Sequence, residues 1–359
     1  MNGRSIRLTA VSGSPQLMGS AHGSQYADEI RAYADDRILL SAEGTDWDRD
    51  RILDLAERML DAHQGYDEAL FEEMTAMATA AGLSPAEAVI VGGYTDFIDA
   101  VRAEATVSGH EDDCTAVIVP DRMADGAGFL AQTWDMHASA TQHVIMLDVS
   151  PSVGPRSLVF TTVGTLGQIG MNEAGISVGI NNLSAADGRV GVTWPFVVRK
   201  ALRQTNLDDA ISCITDAPLA GGHNFLVFDR TGRGATIEAM PTATSVEHLG
   251  ETPLIHTNHC LAPATRAVEA DRPDELNRSS ILRAEQAPTL LDTDPVTAED
   301  LMALTRDERS ICRHPEPPWN YETCGAAIMR PATGDFWACW GVPSENAYER
   351  FSLTPSAVS

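Results

Sequence analysis

The sequence has little basic charge and almost no lysine. Lys200 is the only lysine, and 25 basic residues face 51 acidic ones, which gives a formal net charge of −26. A surface of this charge repels phosphate backbones and anionic lipids, so we expect neither nucleic-acid nor membrane partners. An acidic, lysine-poor composition is typical of proteins adapted to high salt. A GC-rich genome explains the shortage of lysine equally well, and composition alone leaves both explanations open.

The sequence also lacks long apolar runs and paired cysteines. No run of 18 apolar residues predicts a transmembrane helix, and the first residues lack the apolar core of a secretory signal. The six cysteines are scattered without a CxxC pair, which is typical of reduced thiols rather than of a disulfide framework. We therefore expect a cytoplasmic protein.

Helical patterns fill roughly the first hundred residues. Ser84, Pro85 and Glu87 have the spacing of a capping box with proline at the first helical position. From Cys114 onward the pattern changes to short β-rich runs, separated by turns rich in Gly, Pro and Asp. Asn206 is the expected cap of one of two helices that interrupt these strands.

This order of elements predicts an α+β fold. Few parallel βαβ alternations are present, so we expect two antiparallel sheets packed between helical layers, an αββα arrangement. We place a boundary where the pattern changes. Residues 1–113 are then a helical N-terminal segment and residues 114–359 the strand-rich part of one compact unit.

Cys114 stands directly behind three acids, in the stretch GHEDDCTAVIVP. Neighbouring carboxylates disfavour the thiolate, which is the reactive form of a cysteine. A cut just before Cys114 would detach the acidic segment and create an α-amine, with a pKa of about 7.7 to 8.0, beside the thiol. That amine can accept the thiol proton, so one residue would supply both nucleophile and base. A packed, unreactive cysteine is the alternative.

Two other predicted strand ends carry polar groups suited to such chemistry. Asp135, in AQTWDMHA, can orient an amine or hold a substrate, and Asn258, in LIHTNHC, can donate a hydrogen bond to a developing oxyanion. The plainer interpretation is that both are turn residues that follow strands. A zinc site formed by His256, His259 and Cys260 is a further alternative for the second stretch.

Five motifs, taken in order, resemble those of the isopenicillin-N acyltransferase family of cysteine N-terminal-nucleophile hydrolases. They are GSPQLMGSAHGSQYADEI, DCTAVIVP, GFLAQTWDM, IGMNEAGISVGINNL and IHTNHCL, and they extend over residues 13–261. The resemblance implies an inactive precursor that cleaves itself between Asp113 and Cys114. It also implies that the two fragments stay together as a heterodimer with a four-layer αββα sandwich.

The resemblance assigns a role to each candidate residue. Cys114 becomes the nucleophile and new N-terminus, Asp135 lies near its α-amine, and Asn258 is the oxyanion donor; no metal or organic cofactor is implied. One position departs from the penicillin acyltransferases, which have glycine before the scissile bond where this chain has Asp113. Aspartate tolerates a strained backbone less well than glycine, although its carboxylate can assist an N-to-S acyl shift.

Three functions fit these residues. The leading hypothesis is hydrolysis of a linear amide, an N-acyl amine, because water is the simplest acceptor and no motif indicates a coenzyme A or β-lactam site. The second is transfer of an acyl group from a thioester or amide donor to an amine. The third is an uncleaved binding protein of the same fold. The expected partners are a small-molecule amide or acyl donor and the two fragments of the chain, and a higher oligomer is left open.

Overall fold

The computed structural model describes residues 5–107, 114–317 and 320–353. Its α-helices are α1 (Pro15–Gln25), α2 (Ala27–Ser41), α3 (Arg49–Arg58), α4 (Leu60–Tyr66), α5 (Glu68–Ala81), α6 (Pro85–Ala105), α7 (Trp194–Ala201), α8 (Leu207–Thr215), α9 (Pro263–Arg266), α10 (Asp274–Leu290) and α11 (Ala298–Thr305). Its strands are β1 (Arg7–Gly13), β2 (Ala116–Val119), β3 (Phe129–His137), β4 (Val144–Pro151), β5 (Ser157–Thr162), β6 (Ile169–Asn172), β7 (Ile176–Asn182), β8 (His223–Asp229), β9 (Gly234–Ala239), β10 (Thr244–His248), β11 (Leu254–His256), β12 (Tyr321–Arg330), β13 (Asp335–Trp340) and β14 (Tyr348–Ser352).

The described strands form two sheets that pack face to face. The eight-stranded sheet has the order β1-β4-β5-β6-β7-β8-β9-β10, and the six-stranded sheet has the order β11-β2-β3-β12-β13-β14. β2 and β3 of the second sheet contact β7 and β8 of the first. Helices α1, α7 and α8 pack on the eight-stranded sheet, and α10 and α11 pack on the six-stranded sheet. This arrangement confirms the predicted four-layer αββα sandwich.

One strand differs from the prediction. β1 interrupts the first hundred residues, which the sequence patterns had predicted to be helical, and it pairs in parallel with β4. All other ladders between these strands are antiparallel. β1 has seven residues at a sheet edge, with only Leu8 as a large apolar residue on its exposed side. A strand pattern this short is a weak signal in the sequence, because long helical patterns follow it directly.

Several local predictions are confirmed. The Ser84 side chain accepts a hydrogen bond from the Glu87 backbone, and the Glu87 carboxylate accepts one from the Ser84 backbone at 2.8 Å. The Asn206 side chain caps α8 in the same way. The hairpin between β6 and β7 ends its turn at Gly175, whose φ of +89° lies in the region that favours glycine.

Helix α1 packs against α5 at backbone distance. A Cβ placed on Gly19 would lie 2.0 Å from the carbonyl oxygen of Glu73, and one on Gly23 would lie 2.2 Å from that of Met77. No side chain fits at either position, so these glycines of the first motif serve helix packing. Within the described residues no single helix is long and apolar enough to cross a membrane. Only α5 and α6 taken together reach that length and apolar composition, and the two helices are bent by 112° relative to each other.

Candidate active site

Three neighbouring strands bring the candidate residues together. β2 lies between β11 and β3 and runs antiparallel to both, so the residues just before its start lie beside the end of β11 and the second half of β3. Cys114 comes just before β2, Asn258 follows β11, and Asp135 is in the second half of β3. All three residues are buried in the same region of the six-stranded sheet. Asp113, the residue predicted to precede the scissile bond, lies outside the described residues.

Asn258 directly contacts Cys114. The backbone nitrogen of Cys114 donates a hydrogen bond to Oδ1 of Asn258 at 2.6 Å, and Nδ2 of Asn258 donates to the carbonyl oxygen of Asn182 at 3.1 Å. These two partners, one a donor and the other an acceptor, fix the orientation of the side-chain amide. In the uncleaved chain, Asn258 therefore presents its oxygen to the Cys114 nitrogen. Nδ2 carries a second hydrogen, which is the donor that the predicted oxyanion role needs.

Arg283 is a residue of this site that the sequence analysis missed. Its guanidinium is fully buried and donates to the Cys114 carbonyl at 2.5 Å and to Oδ1 of Asn258 at 3.1 Å. A signal for it was present in the sequence. The buried residues of α10 recur at helical spacing, and two of them are polar: Leu276, Ser280, Arg283 and Ala287. A cation on the buried face of a helix indicates a partner inside the protein.

Asp135 is a buried carboxylate in an unfavourable setting. Burial raises its pKa to about 7, while the charge of Arg283 and the hydroxyl groups of Thr323 and Thr133 oppose this rise. Within the described part of the chain, neither carboxylate oxygen has a partner in hydrogen-bond geometry. The carboxylate is therefore poised between its charged and neutral forms near neutral pH. A positive charge placed beside it would favour the ionised form.

The described cysteines are all buried or half-buried, and Cys114 is the one whose main chain accepts a hydrogen bond from Arg283. Burial raises the pKa of each of the other five thiols, which disfavours the reactive thiolate: Cys213, Cys260, Cys312, Cys324 and Cys339. Cys114 is also buried, but it lies close to Arg283. Burial lowers the pKa of this guanidinium, and its attraction to Asp135 and Cys114 opposes that decrease.

The residues considered as a zinc site are engaged elsewhere. Nε2 of His256 lies 2.9 Å from a carboxylate oxygen of Glu238, and the pKa of the Cys260 thiol is raised by burial. Zinc binds the thiolate, so this environment opposes the chemistry that ligation needs. No cluster of three or more His, Cys, Asp and Glu side chains in the described ranges, His259 included, is arranged to hold a metal ion.

More than half of the chain matches a family of known proteins. Residues 122–345 match the model of the family described as acyl-coenzyme A:6-aminopenicillanic acid acyl-transferase. The matched region begins after Cys114 and includes Asp135, Asn258 and Arg283. A relative from Emericella nidulans, the acyl-coenzyme A:6-aminopenicillanic-acid-acyltransferase 40 kDa form, is 25% identical over 256 residues, which are 69% of this chain and 68% of the relative.

Two solved structures are similar at lower identity. A mutant of the conjugated bile acid hydrolase from Clostridium perfringens is 11% identical, with a TM-score of 0.46, over 67% of this chain and 93% of the other. The penicillin V acylase from Agrobacterium tumefaciens is 10% identical, with a TM-score of 0.41, over 67% of this chain and 86% of the other.

Proposed function

The chain belongs to the acyl-coenzyme A:6-aminopenicillanic acid acyl-transferase family, and we propose that it hydrolyses linear N-acyl amines through a thioester on Cys114. The observation that carries this proposal is the way the backbone of Cys114 is held. Asn258 binds its nitrogen at 2.6 Å, and Arg283 binds its carbonyl oxygen at 2.5 Å. The buried main chain of a cysteine that only fills the core is usually paired with neighbouring backbone, whereas the main chain of Cys114 is held by a side-chain amide and a buried guanidinium.

Activation begins with cleavage of the bond between Asp113 and Cys114. The Cys114 sulfur adds to the Asp113 carbonyl carbon, the C–N bond breaks, and the nitrogen leaves as an amine that takes the thiol proton. Water then hydrolyses the resulting thioester, which releases the Asp113 carboxylate and restores the thiol. Asn258 supports this step because its Oδ1 already accepts a hydrogen bond from the departing nitrogen. The Asp135 carboxylate stabilises the positive charge of the new α-ammonium group.

Turnover uses the same atoms. The neutral α-amine of Cys114 takes the thiol proton, the sulfur attacks the substrate carbonyl, and the leaving amine departs with a proton. Water then attacks the thioester and releases the acid. The second hydrogen of Asn258 Nδ2 stabilises the oxyanion, and Arg283 holds the Cys114 main chain.

The cleavage fragments stay associated in this account. β1 belongs to the N-terminal fragment, yet it is hydrogen-bonded to β4 of the C-terminal fragment along its whole length. α6 likewise packs against α7 across the proposed cut. Cleavage before Cys114 therefore breaks one peptide bond without dividing the core into separate bodies.

Transfer of the acyl group to an amine is the second candidate function. The fungal relative is named as an acyltransferase, and this favours an acceptor other than water. Both reactions share the Cys114 thioester and differ only in what attacks it. The small-molecule substrate is an amide in the first case and a thioester or amide donor in the second.

Product analysis with and without an acceptor amine tests the proposal. A hydrolase gives the free acid in both mixtures, whereas a transferase gives the acylated acceptor. Mass spectrometry after rapid acid quenching should find the acyl group on the peptide that begins with Cys114. Cys114→Ala should abolish both products, and Cys213→Ala, the matched control, should not. Amide cleavage that persists in Cys114→Ala would overturn the proposal.

A further inference from the structure

Glu238, on β9, is a buried carboxylate that accepts four hydrogen bonds. One oxygen accepts from Nε2 of His256 at 2.9 Å and from the backbone of Leu261, and the other accepts from the backbone of Ala262 at 3.1 Å and from the hydroxyl of Thr265. Burial by itself raises the pKa of a carboxyl group, but these donors lower the pKa of Glu238 to about 2. The group is therefore a permanently charged acceptor at neutral pH.

The four donors surround Asn258 in the chain. His256 comes two residues before Asn258, and Leu261, the nearest donor after it, comes three residues later. Glu238 belongs to the eight-stranded sheet, whereas His256 ends β11 of the six-stranded sheet. One carboxylate therefore ties both ends of the short loop that carries Asn258, and it does so from the opposite sheet.

The other side of this loop is held by α10. The hydroxyl of Ser280 accepts a hydrogen bond from the Asn258 backbone at 2.9 Å, and Arg283 reaches the side-chain oxygen at 3.1 Å. α10 therefore fixes the residue itself, and Glu238 fixes the chain on either side of it. Loss of either support gives the Asn258 amide freedom to move away from the Cys114 nitrogen.

Glu238 and His256 together form the anchor of this loop. Its Nε2 faces Glu238, and its Nδ1 faces the carbonyl oxygen of Thr257, each at 2.9 Å. A carboxylate and a carbonyl oxygen only accept, so both contacts are hydrogen bonds only when each ring nitrogen carries a proton. This geometry is that of an imidazolium facing a carboxylate, and both side chains are buried.

We infer that Glu238 is a positioning residue for the reaction at Cys114, and that it acts by fixing the loop that presents Asn258. The kinetic consequences of this inference rest on the proposed function, whereas the charged pair can be tested without any activity. Because Glu238 acts through Asn258, its loss should slow self-cleavage and lower kcat, and KM should change little.

The first test is Glu238→Gln, which keeps the size of the side chain but turns one acceptor into a donor. We expect self-cleavage and kcat to fall by about 10- to 100-fold, the cost of a small misplacement of a catalytic group. Glu247→Gln, on the exposed side of the adjacent strand β10, is the matched control and should leave both rates unchanged. A Glu238→Gln protein that processes and turns over at the parent rate would overturn the inference.

A double variant separates positioning from general damage to the fold. In an Asn258→Ala background, Glu238→Gln should have little further effect, because residues that act through one another are not additive. An equal fold reduction in both backgrounds would show that Glu238 acts independently of Asn258. If Glu238→Gln does not fold, Thr265→Val, which removes one of the four donors, takes its place with an expected several-fold loss that also vanishes in Asn258→Ala.

The charged pair is tested in Cys114→Ala, where neither cleavage nor turnover occurs. Nitrogen NMR of the His256 ring, assigned with His256→Gln, should show two protonated nitrogens, and only one after Glu238→Gln. A neutral ring in the parent would refute the ion pair. If the wild type neither cleaves nor turns over while this spectrum is as expected, the proposed function fails and the anchor stands.

Discussion

Replacing Asp135 with asparagine should stabilise the uncleaved protein and at the same time impair its reaction. The carboxylate is fully buried, and burial raises its pKa from the ordinary 3.8 to about 7. Below pH 4 the group is protonated in both the folded and the unfolded chain, so it has no effect on stability. As the pH rises from about 4 to 7, only the unfolded chain loses the proton readily, and the folded state becomes less stable.

The pKa values set the size of this effect. A change from 3.8 to about 7 corresponds to about 4 kcal/mol of stability lost above pH 7, which is an upper limit for the gain on removing the charge. Asparagine keeps the shape of the side chain without the charge. We therefore expect Asp135→Asn to raise the free energy of unfolding by about 1 to 4 kcal/mol at pH 8, and by much less at pH 5.

Urea unfolding at both pH values measures this difference. The measurement uses the Cys114→Ala background, in which cleavage cannot alter the folded state. Asp148→Asn is the control, because its carboxylate is paired with Arg156 at 2.7 Å and its removal should not stabilise. A loss of stability on Asp135→Asn at pH 8, or an equal gain at both pH values, would refute the reasoning. With Cys114 restored, the same substitution should slow self-cleavage, because the new ammonium group loses its partner.

Three further changes have expected outcomes. Arg283→Met removes the donors to Cys114 and should prevent self-cleavage, which intact-mass measurement detects. Arg278→Met, on the exposed face of α10, should cleave normally. Normal cleavage of Arg283→Met would contradict the role of Arg283. Gly19→Ala brings a Cβ to 2.0 Å from an α5 carbonyl and should lower the free energy of unfolding in urea by about 1 to 3 kcal/mol. Gly65→Ala, whose Cβ would meet nothing within 4 Å, should be neutral or stabilising. Equal effects of the two changes would argue against the close packing of α1 and α5. The pKa of Glu238 is lowered from 4.5 to about 2, so its carboxylate adds about 3 kcal/mol to the free energy of unfolding above pH 4.5, and this stability is lost as the pH falls towards 2. An acid unfolding curve that Glu238→Gln leaves unchanged would exclude this contribution.

Local features of the fold could be predicted because their signals lie within a few residues. The capping box of Ser84 and Glu87 is an example, and so is the cap that Asn206 provides for α8. The parallel pairing of β1 with β4 joins Arg7 to Ile145, and no pattern in the short β1 segment specifies a partner so distant. Long-range pairing depends on how the two sheets close on each other, and one strand does not encode that.

The candidate site could be predicted in part. The motifs singled out Cys114, Asp135 and Asn258, and the structure places all three together. Arg283 was missed because it is 169 residues from Cys114 and belongs to a helix with a largely polar sequence. The orientation of the Asn258 amide was also beyond sequence reasoning, because it depends on partners brought there by separate strands.

The most direct test of the account is the intact mass of the purified wild-type protein beside that of Cys114→Ala. The account predicts two fragments from the wild type, one ending at Asp113 and one beginning at Cys114, and a single chain of 38.5 kDa from the variant. A wild-type protein that remains a single chain and is not acylated at Cys114 would contradict it, and so would cleavage that continues without the Cys114 thiol.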